Sequence, residues 1–125
     1  MFEILSKSRG SLLAIKASGK LTVQDYEHTL LPKLEELFEQ YKQLKLFVTF
    51  SEDFSGWAST AAAWDDMKIG LDHAGDFEKI AMVGGPEWVG WSAKLFSIFV
   101  HGEVKVFPIK NDTKAMAWLN DGGES

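Results

Sequence analysis

Residues 84–102, GGPEWVGWSAKLFSIFVHG, constrain the fold more than any other stretch of this chain. Wound as a helix at about 100° per residue, the segment divides into three sectors. Trp88, Trp91, Leu95, Ile98 and Phe99 form one apolar stripe, and Val89, Ala93, Phe96 and Val100 form a second beside it. Glu87, Gly90, Lys94, Ser97 and His101 make the only polar strip, and Ser92 alone interrupts the apolar arc. A surface helix of a globular domain shows one apolar stripe of roughly 100°. Two adjacent stripes need two surfaces to pack on. One is the core; the other is a neighbouring helix, a partner chain, an apolar ligand or a membrane surface.

The elements around this helix read in the order β-β-α-β-α-β-α-β-α. Strands are expected at Phe2 to Leu5 and Leu12 to Ala17, joined by a hairpin through residues 7–11. Thr22 then opens a helix, with Asp25 at the capping-box position. Val23, Tyr26, Leu30, Leu31, Leu34, Leu37, Phe38 and Tyr41 share its apolar face. Pro32 falls on the polar side, where it removes the hydrogen bond to the His28 carbonyl and kinks the helix without ending it. Leu44 to Phe50 and Lys79 to Val83 are nearly unbroken apolar runs, as central strands covered on both faces require. Val104 to Ile109 is a fifth strand, and Pro108 puts it at an edge or at its end. A helix over about Trp57 to Ala74 links the third and fourth strands. Asn111 or Asp112 caps a last helix in which Ala115, Trp118 and Leu119 share a face. Strands alternating with helices imply parallel pairs, and the opening hairpin adds one antiparallel pair. The expected architecture is a single α/β domain over residues 1–120. It has a mixed five-stranded sheet covered by about four helices, with residues 121–125 as a flexible tail.

At 125 residues the chain is long enough for one real core. Its 46% hydrophobic and 25% charged fractions suit a folded globular domain. The net charge of −5, with 13 dispersed Lys and Arg residues, argues against nucleic acid as a partner and against purely electrostatic lipid binding. Without cysteine, disulfides and thiolate metal sites are excluded. The start, MFEILS, lacks the basic and apolar regions of a secretory leader, and no apolar run reaches the roughly 18 residues of a membrane span. A cytoplasmic location follows as the expectation, with peripheral contact at the inner membrane open to the doubled stripe.

Chemical motifs are few. On one helix, adjacent Asp72 and His73 point in different directions, while Asp65 with Asp72 and Asp66 with His73 lie seven apart, two turns distant, which suits a solvated face better than an acid–base pair. No His-x-x-x-His spacing offers a metal site, and no Gly-x-Ser-x-Gly elbow offers a serine nucleophile. Gly84-Gly85-Pro86 stands between a strand and a helix, where an anion could bind, but Glu87 places the protein's own carboxylate there. Neither a metal nor a cofactor is expected. Trp57, Trp64 and Trp118 have core spacing, whereas Trp88 and Trp91 suit a wet–dry boundary.

Three segments carry a family resemblance: Trp64-Asp-Asp-Met-Lys with His73, the run FEKIAMVGGPEW over residues 77–88, and the ending Val106-Phe-Pro followed by Ala115-Met-Ala-Trp-Leu119. They resemble the bacterial SpoIIAA-like proteins, stand-alone domains related in fold to STAS and CRAL-TRIO domains. The resemblance covers nearly the whole chain and implies a mixed sheet with helices on it. On the STAS side it implies a regulatory module that switches protein partners when a serine is phosphorylated after the third long strand. Ser55 is the candidate in this chain, although Phe54 breaks the Asp-Ser pair of that pattern. On the CRAL-TRIO side it implies an apolar pocket for a lipid-like ligand.

The leading expectation is a non-enzymatic domain that binds a small apolar or amphipathic ligand. Trp88, Trp91, Leu95, Phe96 and Phe99 would form the ligand wall or membrane anchor, and Trp57 and Trp64 the pocket wall. The alternative is a STAS-type protein-interaction module, with a homodimer as the partner expectation. An enzyme built on Asp65, Asp66 and His73 is the third.

Overall fold

The computed structural model describes residues 1–59, 61, 62, 68, 72, 75–85 and 103–121. The strands are β1 (Phe2–Ile4), β2 (Leu12–Ala17), β3 (Lys20–Leu21), β4 (Leu44–Phe50), β5 (Gly56–Trp57), β6 (Phe77–Gly84) and β7 (Glu103–Phe107). The helices are α1 (Val23–Asp25), a π-helical segment (Tyr26–Leu30) that leads into α2 (Leu31–Gln40), and α3 (Asp112–Asp121), which follows a 3₁₀ turn at Ile109–Asn111. The helix expected over 86–100 lies outside the described residues, and with it Trp88, Trp91, Leu95, Phe96 and Phe99. So do Trp64, Asp65, Asp66, His73 and residues 122–125.

The main sheet has the order β1-β2-β4-β6-β7. β1 pairs antiparallel with β2, and β2, β4, β6 and β7 run parallel to one another. This is the mixed five-stranded sheet expected from the sequence, with the Leu44 and Lys79 runs on interior strands and the Pro108 strand at the edge. β7 stops at Phe107 rather than Ile109. Proline cannot donate to a ladder, so pairing ends before Pro108 and the chain turns into the 3₁₀ segment. A second sheet, β3 paired parallel with β5, joins Lys20 to Gly56 and Leu21 to Trp57. Trp57 therefore belongs to a strand, and the helix expected to start there begins later; Ala61, Ala62, Lys68 and Asp72 are helical. Among the described residues there are two helices of ten residues, α2 and α3, against the four expected over the whole chain.

Alternation along the strands sorts side chains to two faces. On one face Leu13, Ile15, Leu44, Val48 and Ile80 pack with Tyr26, Leu30, Leu34 and Leu37 of the helical run. On the other, Leu12, Ala14, Phe47, Ala81 and Val83 pack with Ala115 and Leu119 of α3. Phe47, fully buried at the centre of the second layer, carries Lys7 Nζ 4.6 Å from its ring centroid. Small Ala14 and Ala81 flank Phe47 in the strand register, Ala14 on β2 and Ala81 on β6, and leave room for its ring against α3.

The first helical run starts as the sequence indicates. Thr22 Oγ1 accepts from the Asp25 N–H at 3.1 Å, and Asp25 Oδ2 accepts from the Thr22 N–H at 2.8 Å, a complete capping box. Further on, the run passes through a π turn. The Leu31 N–H donates to the Tyr26 carbonyl, five residues back, just before Pro32. Proline's ring crowds the carbonyl four residues earlier. An inserted π turn moves that carbonyl aside, so the helix passes the proline and Leu34 and Leu37 stay buried.

Candidate functional site

The parallel strands all end at one edge of the sheet, and a cleft of about 970 Å³ opens there. Ligands of open α/β sheets bind outside the carboxyl ends of the strands, because the loops there diverge and leave a crevice. Each wall comes from a strand end or the loop after it. β2 contributes Lys16, β4 contributes Thr49 and Phe50, β6 contributes Gly84, and β7 contributes Val106 and Phe107. Ser51, Glu52 and Phe54 follow β4, Gly85 follows β6, and Pro108 and Ile109 follow β7.

Strand register sets this chemistry. Lys16 lies beside Thr49, Thr49 beside Val83, and Val83 beside Phe107, a row across one face of the sheet above α3. On the other face Phe50 stacks at a tilt on Phe54, with ring centroids 4.7 Å apart. Val106 and Ile109 stay exposed, at 43% and 61% of their full area, so the apolar wall reaches the surface. Gly84 and Gly85 have φ of +80° and +86°, which side chains on L-residues resist. A Cβ on Gly84 would also stand 3.0 Å from Ile109 Cδ1 and 3.4 Å from the Phe50 carbonyl oxygen. The cleft floor is thus shaped around a missing side chain.

The loop after β4 is held by its own polar groups. Ser51 Oγ donates to Asp53 Oδ1, and the Gly19 N–H donates to the same oxygen at 3.3 Å. The Ser51 hydroxyl and then the Gly19 amide hold the Asp53 carboxyl below its usual pKa, with help from the nearby Lys16 ammonium. Ser55, the candidate for phosphorylation, is exposed, and its backbone N–H donates to the Gly19 carbonyl at 2.9 Å. Its hydroxyl lies on the loop that links the cleft to β5, one residue past Phe54.

Trp57 is half-buried against the helical-run layer, and its Nε1–H donates to the Tyr26 hydroxyl at 2.8 Å. It does not line the cleft. Trp118, on α3, packs 6.0 Å from Phe107, with Lys79 Nζ at 4.6 Å and Lys105 Nζ at 5.0 Å from its ring centroid. Among the described residues no three His, Asp or Glu side chains gather as a metal site would require, and no helix is long and apolar enough to cross a membrane. The sequence reading missed Lys16, Thr49, Phe50, Phe107 and Ile109. They lie within two residues of the carboxyl ends of β2, β4 and β7, and that position was the available signal.

The chain matches the SpoIIAA-like family over residues 12–120. It is similar to an uncharacterized protein of the DUF3478 family with a SpoIIAA-like fold from Shewanella loihica PV-4, whose crystal structure was solved at 2.25 Å. The two share 33% identity with a TM-score of 0.74, over 94% of this chain and 93% of that one. No curated protein matches the chain. With a family match over residues 12–120 and a fold and sequence shared with that structure over nearly its full length, this chain belongs to the SpoIIAA-like family.

Proposed function

We propose that this SpoIIAA-like domain is a non-enzymatic binding protein for a small apolar or lipid-like ligand held in the cleft at the carboxyl ends of β4, β6 and β7, with peripheral membrane contact. The observation that carries this reading is the cleft's composition: Phe50, Phe54, Val106, Phe107 and Ile109 make an apolar wall, with few polar groups at one side. Small-molecule sites have that character. The described lining contains no histidine, and its serine is hydrogen-bonded to a carboxylate in solvent, an arrangement suited to holding a ligand rather than transforming one. Gly85, in the cleft lining, is followed in sequence by the segment bearing Trp88, Trp91, Leu95, Phe96 and Phe99, which we assign as further ligand wall or membrane anchor.

Flotation with neutral and anionic phospholipid vesicles, read together with tryptophan emission, tests the membrane part. The expected result is co-flotation with a blue shift. Absence of both with every vesicle type removes membrane contact from the proposal.

A second reading is a regulatory module of STAS type that binds protein, including a second copy of itself. It draws on the exposed Val106 in β7, the edge strand of the sheet, and Ile109 just after it. In that reading Ser55 is the group whose phosphorylation changes partners.

A further inference from the structure

We infer that the cleft selects ligands whose polar end is a neutral oxygen, an alcohol or an ester carbonyl, over ligands ending in a carboxylate, phosphate or ammonium. This rests on the cleft being the ligand site. Thr49 is half-buried in the row between Lys16 and Val83, and its hydroxyl has no hydrogen-bond partner among the described residues. It lines the cleft with one donor and two lone pairs uncommitted to any described residue. The neighbouring hydroxyl, on Ser51, is already directed to Asp53.

The charges at the mouth do not favour an anion. Lys16 is the one cation in the described lining; Glu52 lines the cleft with it, and Asp53 is close enough to feel its charge. Among the described residues one positive and two negative groups leave that corner negative, on a chain whose net charge is −5. An anionic head would surrender its water for a field that repels it. An ammonium would be drawn to Glu52 and Asp53 at the solvent edge, away from the apolar wall, and would leave the Thr49 hydroxyl unused. A neutral oxygen loses far less hydration than an ion on entering an apolar wall, and one hydroxyl satisfies it.

Three ten-carbon probes test this on the full chain: decanol, decanoate and decylamine, titrated at low salt and near-neutral pH with amide and methyl resonances observed. Decanol is expected to shift the signals of Thr49, Val83 and Ile109 and to bind at least about fivefold more tightly than either ion. Thr49→Val, which keeps the side chain's shape, is expected to weaken decanol about fivefold and leave decanoate unchanged. Tighter binding of decanoate or decylamine overturns the inference, and so does a Thr49→Val variant that binds decanol as the parent does. If none of the three probes moves cleft resonances, the cleft itself is not the ligand site and the function proposed above falls with it.

Discussion

Thr22 and Asp25 show how two side chains fix the start of an element and tie it to pH. Burial on its own raises the Asp25 carboxyl's pKa. Hydrogen bonds from Thr22's backbone and hydroxyl, then the charge of the N-terminal ammonium 3.4 Å away, outweigh burial and bring it below its usual 3.8. A carboxyl whose pKa is lowered by folding stabilises the fold above its unfolded pKa, and that contribution is lost as pH falls through the folded value. Stability should therefore decline below about pH 4 in part through Asp25. Thr22→Ala is expected to cost about 1 kcal/mol at neutral pH and to flatten that acid decline. Urea unfolding measured across the acid range checks both, and an unchanged acid slope would show that the capping box does not set the Asp25 pKa.

At the scale of elements, Lys79 couples β6 to α3. It is 8% exposed, and its ammonium donates to the Trp118 carbonyl at 2.7 Å while lying over the same residue's ring. One cation thus meets both a carbonyl in the last turns of the helix and an indole face, and both contacts are stronger for being out of water. Lys79→Met should destabilise the domain by about 1–2 kcal/mol, whereas Lys105→Met, which removes the exposed lysine on that ring, should cost about 0.5 kcal/mol. Chemical denaturation of the two variants gives the order, and equal costs would mean that burial adds nothing to the contact. The long strands were legible because Leu44–Phe50 and the run through Lys79 to Val83 are apolar enough to be interior, and Thr22 and Pro108 mark boundaries by their backbone chemistry. β3 and β5 were not, because two-residue strands show no alternation. Nor was the π turn before Pro32: periodicity shows which face is buried, and an inserted residue leaves that face in place.

At the scale of the molecule, the cleft was hidden from the sequence for a different reason. Its residues come from positions near 16, 50, 84 and 107, and only the strand register brings them together. Reading the last two residues of each parallel strand, with the loop after each, as one set would have found them. The same scale separates the two functional readings. A ligand-binding domain is expected to scatter light as a monomer of 14.0 kDa, with Val106 free. A species of twice that mass, dissociated by Val106→Glu, would favour the interaction module instead.

The strand order carries one more consequence. In β1-β2-β4-β6-β7 every strand pairs with the strand of that sheet laid down just before it. The sheet therefore grows at one edge only, in the order of synthesis, and no early strand has to wait for a distant one. Each parallel partner nevertheless lies some way back in the chain, as Leu12 from Lys45 and Lys45 from Lys79, so every parallel pairing closes a long loop, which slows folding relative to a topology of hairpins. The cleft wall therefore draws on the last strand in chain order: β7 ends in Phe107, Ile109 follows it, and a chain cut before β7 would lack that side of the cleft.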